Sequence, residues 1–188
     1  MVRIVTRFAF GLAFMLASTV HAKQVSGVDV AETISHSQES LKLNGAGTRT
    51  KFFVDMYVTA LYLSETSSDA AGIIAADDSM AIRLHIVSDL ITPERMADFT
   101  RDGFVRSTGG NIADIEADIE SLVAAFQDAV DQGDIFDLVY QPDTGVTVYR
   151  NGEAKSTVTG LKFKQALFGI WLSEDPVQKG LRDDLLNG

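Results

Sequence analysis

Residues 51–63 constrain the fold of this 188-residue chain more than any other stretch. They are rich in Phe, Val, Tyr and Thr and alternate strictly, the signature of a β-strand. Phe52, Val54, Met56, Val58, Ala60 and Tyr62 share one face, which is almost purely apolar. Phe53, Asp55, Tyr57, Thr59, Leu61 and Leu63 share the other, which is mixed. A strand with two largely apolar faces is buried on both sides. One side is core, and the other is either core or the wall of a cavity.

The segments around it are consistent with an α+β protein. Residues 25–34 are predicted as a first strand and 39–43 as a short second one, followed by a glycine-rich bend at Asn44-Gly45-Ala46-Gly47. Residues 68–76 read as a short helix and 80–87 as a strand. Thr92 and Pro93 then open a helix as N-cap and first helical residue, running to about Ser107. Asn111 is predicted to cap the next helix, whose apolar residues from Ile112 to Val130 follow a 3.6-residue period. After a strand at 134–140, Asn151-Gly152 marks a β-hairpin. Residues 162–172 form a helix, and Asp175-Pro176 caps the last one. Strands first, then helices interrupted by a strand and a hairpin, predict a mainly antiparallel sheet with helices.

Residues 1–22 are set apart as a secretory signal peptide: Arg3 and Arg7, an apolar run over 8–17, then Val20-His21-Ala22 before the cut. The run is too short to cross a hydrocarbon core, which takes about 20 residues. The expected domain is 23–188, in the periplasm or secreted. Losing Arg3 and Arg7 leaves 14 basic residues against 26 acidic ones, so the net charge moves from −10 to −12. Such a protein is repelled by nucleic acid and by anionic lipid surfaces, and no stable membrane insertion is expected after cleavage.

There is no cysteine, which excludes disulfides, zinc–thiolate clusters and thiol nucleophiles. Only His36 and His85 follow residue 22, too few for a histidine-rich metal site. Asp114, Glu116, Asp118 and Glu120 sit at alternate positions of a helix and splay apart, whereas calcium needs convergent oxygens. The reading calls for no metal and no cofactor. On the helix at 92–107, Arg95, Asp98, Asp102 and Arg106 read as a salt-bridged surface face.

Arg49 stands out by parity. With Phe53, Tyr57 and Thr59 it falls on one strand face, and an arginine fork with a tyrosine hydroxyl makes a clamp for a carboxylate or an enolate. Asp55 on the same face offers the competing reading, a structural Arg49–Asp55 ion pair.

Three segments together resemble the chalcone isomerase family, in its bacterial exported branch. The first is Leu43-Asn44-Gly45-Ala46-Gly47-Thr48-Arg49 with the strand ending Ala60-Leu61-Tyr62-Leu63. The second is 82–90 running into Thr92-Pro93-Glu94. The third comprises Gly145-Val146, Asn151-Gly152, Gly160, Ala166-Leu167-Phe168-Gly169-Ile170-Trp171-Leu172 and Leu185-Leu186. The resemblance implies an open-faced β-sandwich, a large antiparallel sheet with a layer of helices and a cleft between them. It also implies an intramolecular lyase that closes a chalcone to a flavanone, with Arg49 stabilising the enolate charge. The rest of that enzyme's polar set is not matched: Tyr57 stands near an expected threonine, Arg95 near a tyrosine, Asp102 at an asparagine and Ile170 at a late threonine or serine. An acid at 102 opposes an anionic oxygen.

Other members of the family lack the full set and bind fatty acids, with arginine and tyrosine holding the carboxylate. The expectation is therefore a binding protein for a fatty acid or similar small apolar acid. Arg49 is its anchor, Tyr57 assists, Phe53, Leu61 and Phe99 line the tail, and Asp102 lies at the cleft. The alternatives are the lyase, with Arg49 as its catalyst, and an interaction module without a ligand.

Overall fold

The computed structural model describes residues 22–36 and 39–187; all of the predicted signal peptide but Ala22 lies outside them. Nine strands and five α-helices follow one another among the described residues. The first strands are β1 (Ala22–Val25), β2 (Val28–Ala31), β3 (Thr33–His36), β4 (Glu39–Lys51) and β5 (Val54–Leu63). Then come α1 (Ala70–Ala75), β6 (Met80–Ile86), α2 (Pro93–Ser107) and α3 (Glu116–Ala124). The chain closes with β7 (Ile135–Gln141), β8 (Gly145–Arg150), β9 (Glu153–Val158), α4 (Leu161–Leu172) and α5 (Lys179–Leu186).

Strands β3 to β9 form one seven-stranded sheet in which every neighbour is also the next strand in sequence, all antiparallel. The main core, with Leu61, Ile82, Phe104, Phe136, Phe163 and Leu185 at its centre, lies between one face of this sheet and the helices. A second, smaller cluster on the opposite face joins Val58, Ala60 and Tyr62 to Val30 and Ile34. Strand β5 is thus buried on both faces from Met56 onward, as its composition requires.

Several boundaries differ from the sequence expectation. Residues 25–34 do not form one strand: a Ser26–Gly27 turn folds β1 onto β2, and β3 joins the large sheet separately. Residues 44–47 do not bend. They run through the middle of β4, with the extra residue Asn44 producing a register shift. Asn111 does not cap a helix; a 3-10 turn precedes α3, which ends at Ala124. The last helix starts at Lys179 with Gln178 as its N-cap, later than Asp175-Pro176 suggests. Thr92 does cap α2, accepting from the Arg95 amide.

The glycines at 45 and 47 are needed for proximity. A Cβ on Gly45 would lie 2.3 Å from the Asp184 carbonyl oxygen and 2.5 Å from that of Leu185. Bare backbone there lets α5 rest directly on β4, and the Asn44 amide donates to the Leu185 carbonyl at 2.8 Å.

The segment 51–63 is not one strand either. Lys51 pairs with Val54 across a two-residue turn formed by Phe52 and Phe53. Both have left-handed backbones, φ 52° and 65°. The two-residue hairpins at Ser26-Gly27 (φ 45° and 79°) and Asn151-Gly152 (φ 52° and 83°) use the same region with glycine at the second position, which suits it. For non-glycine residues the left-handed region costs on the order of 1–3 kcal/mol each.

A buried lysine ties α4 to α1. Lys164 Nζ donates to the carbonyls of Ile73, Ile74 and Ala76 at 2.9, 3.0 and 2.6 Å. These carbonyls lie at the carboxyl end of α1, where the helix leaves its acceptors unsatisfied. Burial lowers the Lys164 pKa to about 8, opposed by the charges of Asp77 and Asp78.

Candidate functional site

A register shift sets up the site. Arg49 pairs with Tyr57, whereas the next residue, Thr50, pairs with Asp55, so Met56 is the extra residue of a bulge. Directly opposed residues on adjacent strands share a face, which brings Arg49 and Tyr57 side by side toward the helices. Asp55 falls on a different course: its carboxylate accepts from Thr50 Oγ1 at 3.0 Å and Ser26 Oγ at 3.2 Å. The anticipated Arg49–Asp55 ion pair does not form, and Arg49 makes no ion pair among the described residues.

Arg49 is held instead by neutral acceptors. Its Nη1 donates to Gln178 Oε1 at 3.0 Å and to the Thr50 carbonyl at 2.7 Å. Gln178 also accepts from the Thr50 amide at 3.0 Å and donates to the Thr48 carbonyl at 3.3 Å. The N-cap of α5 therefore orients the guanidinium without neutralising it. Docking of α5 onto Gly45 and Gly47 brings Gln178 within reach.

These groups border a cavity of about 230 Å³ between the sheet and the helices. Its apolar wall includes Met56, Leu84, Met96, Leu122, Phe126 and Leu138, each at most 5% exposed. Its opening carries the charged groups: half-buried Arg49 and Lys51, exposed Asp102 and Arg106. Lys51 Nζ sits 4.0 Å from the centre of the Phe99 ring, a cation–π contact. Arg106 is paired with Asp175 at 2.6 Å.

Tyr57 and Trp171 stand between the two zones, both nearly buried. Burial raises the pKa of the Tyr57 hydroxyl, and the nearby Arg49 charge and the Trp171 and Arg49 donors only partly offset it. The hydroxyl is therefore a protonated donor at neutral pH. Trp171 leans toward it but stops short of hydrogen-bond geometry, so its buried indole N–H has no partner among the described residues. An apolar chamber thus ends in a guanidinium, a phenol and an indole N–H. That donor set suits an anionic oxygen at the head of an apolar molecule.

Of the residues singled out in the sequence, Arg49, Tyr57, Phe99 and Asp102 border this cavity. Phe53 does not: it is fully exposed at the tip of the β4–β5 turn. Leu61 points the same way as Tyr57 but is locked in the core beyond the cavity. Arg95 donates to the Leu90 carbonyl and stays outside, while Ile170 is part of the wall. The expected salt-bridged face of α2 is not formed within the helix, since Arg106 pairs with Asp175. Lys51, Trp171 and Gln178 were not anticipated. Gln178 carried no local signal, because its role depends on where α5 docks.

Across the sheet, Arg83 and Asp137 form a bidentate pair at 2.6 and 2.8 Å, with His36 3.2 Å from the same carboxylate. Burial, helped by the Arg83 charge and opposed by Asp137, lowers the pKa of the adjacent His85. This cluster ties β3, β6 and β7 together on the face away from the cavity.

An antiparallel sheet with helices on one face and a cleft between them is the architecture of the chalcone isomerase-like proteins. The chain matches that family over residues 22–187 and belongs to it. Among solved structures it is similar to a fatty-acid binding protein of Arabidopsis thaliana, with TM-score 0.71 and 19% identity, covering 85% of this chain and 92% of that one. No curated protein sequence matches the chain.

Proposed function

We propose that this protein binds a fatty acid or similar single-chain apolar acid, with the carboxylate at Arg49 and the tail in the apolar chamber. The observation that carries the reading is the Arg49 guanidinium: it borders an apolar cavity, is oriented by Gln178, and has no ion-pair partner among the described residues. A half-buried arginine without a counterion favours an anionic guest. Tyr57 and Trp171 supply further donors to the same oxygens. A cavity of about 230 Å³ takes one slender chain rather than a bulky ligand. The fatty-acid binding protein with the same fold supports this choice over the lyase.

On this reading the protein acts in the periplasm or outside the cell after residues 1–22 are removed. Arg3, Arg7 and the apolar run over 8–17 support export, and the family match starts at residue 22.

The single tryptophan of the chain, Trp171, is part of the cavity wall, so ligand entry is readable in its fluorescence. Titration with oleate is expected to saturate, and the matched alcohol to bind more weakly. Arg49→Ala is expected to weaken oleate roughly ten- to a hundredfold, the worth of about 1.5–3 kcal/mol for hydrogen bonds to a charged group. An unchanged oleate affinity in Arg49→Ala contradicts the proposal.

A further inference from the structure

The tip of the β4–β5 hairpin is built against the chain's own interest. Phe52 and Phe53 are 85% and 103% exposed, and both adopt the left-handed backbone that suits Asn and Gly. Exposure and strain each cost stability, and the Lys51 ammonium, 5.7 Å from the Phe52 ring centre, offsets little of it at so exposed a site. The other two-residue hairpins use Ser26-Gly27 and Asn151-Gly152, each with glycine at the second position. Strain that the fold does not require points to a use outside the fold.

The surroundings indicate what that use is. The described residues include five exposed large hydrophobics: Phe52, Phe53, Val54, Leu90 and Val105. The first three sit at the tip. Leu90 lies in the loop leaving the same end of the sheet, since the Val87 amide pairs with the Met56 carbonyl. This end is also the cavity opening: Lys51, the last residue of β4, borders the cavity, and its Nζ lies 5.7 Å from the Phe52 ring centre and 4.0 Å from that of Phe99.

From this geometry we infer that the Phe52–Phe53 tip docks the protein onto the interface of a zwitterionic lipid bilayer, with the cavity opening facing the lipid. The inference rests on the apolar-acid reading, because it gives such a ligand a path from membrane to Arg49 that avoids water. A convex two-residue tip is far smaller than the roughly 800 Å² per partner of a stable protein interface. It suits a bilayer interface, where phenylalanine rings bury at the boundary between headgroups and acyl chains and a lysine reaches the phosphates. The acidic balance of the chain, −10 overall, disfavours an anionic surface, and Asp55, exposed at the base of the tip, adds to that.

The test compares the wild type with Phe52→Asn/Phe53→Gly, which installs the residues the turn geometry prefers and so relieves strain without threatening the fold. Co-sedimentation with phosphatidylcholine vesicles is expected to fall at least tenfold in the double variant. Oleate affinity in vesicle-free buffer is expected to stay unchanged. Wild type remaining in the supernatant, or the double variant sedimenting equally, overturns the inference. Absence of oleate binding in vesicle-free buffer overturns the cavity reading instead, and is read from a separate assay.

Discussion

At the scale of single residues, the site is a division of labour between a charge and a neutral donor. Burial holds the Tyr57 hydroxyl in its protonated form, so the phenol contributes a hydrogen bond rather than a second charge. The charge that Arg49 meets is then the ligand's own carboxylate. A carboxylate binds better to Arg49 than a carboxylic acid does, so affinity is expected to be flat from about pH 6 to 9. It should fall as pH drops through the ligand's own carboxyl pKa, roughly 4–5 by analogy with side-chain carboxyls. Oleate titrations from pH 4 to 9 check this, and an affinity that rises on acidification contradicts it. Arg49 and Tyr57 were legible in the sequence, although by a route the structure revises. Parity along one continuous strand placed them together. In the protein they face each other across two strands, with a turn at Phe52–Phe53 and a bulge at Met56 between them. Phe53 went astray for the same reason. A Phe-Phe pair carries no turn signal, because turn prediction rests on residues that favour positive φ.

At the scale of elements, helix α5 links fold stability to the site. Gly45 faces rigid carbonyls of α5, while Gly47 faces the Asp184 side chain, with Oδ2 at 2.5 Å and Cβ at 2.7 Å from its would-be Cβ. A backbone clash cannot be relieved without moving the helix, whereas rotation of Asp184 removes the Oδ2 part of the Gly47 clash and leaves its Cβ part. Gly45→Ala is therefore expected to cost about 3 kcal/mol, the upper end of overpacking. That is a fall in Tm of roughly 6–12 °C for a domain of this size. Gly47→Ala should cost less, about 1–2 kcal/mol, because part of its clash is relieved by rotation of Asp184. Oleate affinity should also fall in Gly45→Ala, since displacing α5 moves Gln178 away from Arg49. Calorimetry and the Trp171 titration on both variants check the order, and equal losses contradict it. In the sequence these glycines read as a bend. The true cause is a helix 140 residues downstream in contact with the strand, as the Asn44–Leu185 hydrogen bond illustrates, spanning 141 positions. Local pattern cannot report such a contact, whereas α2, with its Thr92 cap and Pro93, is written almost entirely in local signals.

At the scale of the molecule, one sheet separates two kinds of interior. The face toward β1 and β2 is closed by Val30, Ile34, Val58 and Tyr62, with the Arg83–Asp137 pair fixing its charges. The face toward the helices holds the larger core and leaves a chamber near Arg49. The fold class and the strand buried on both sides were visible in hydrophobic alternation. Whether the second side was solid or hollow was not, because that depends on how side chains from α2, α3 and α4 meet over β5 and β6.

Native mass spectrometry of the purified protein, with organic extraction of whatever accompanies it, tests the central claim most directly. The account predicts a co-purified single-chain fatty acid in the wild type and its loss in Arg49→Ala, with both proteins folded. An empty wild type, or the same acid retained by Arg49→Ala, would contradict it.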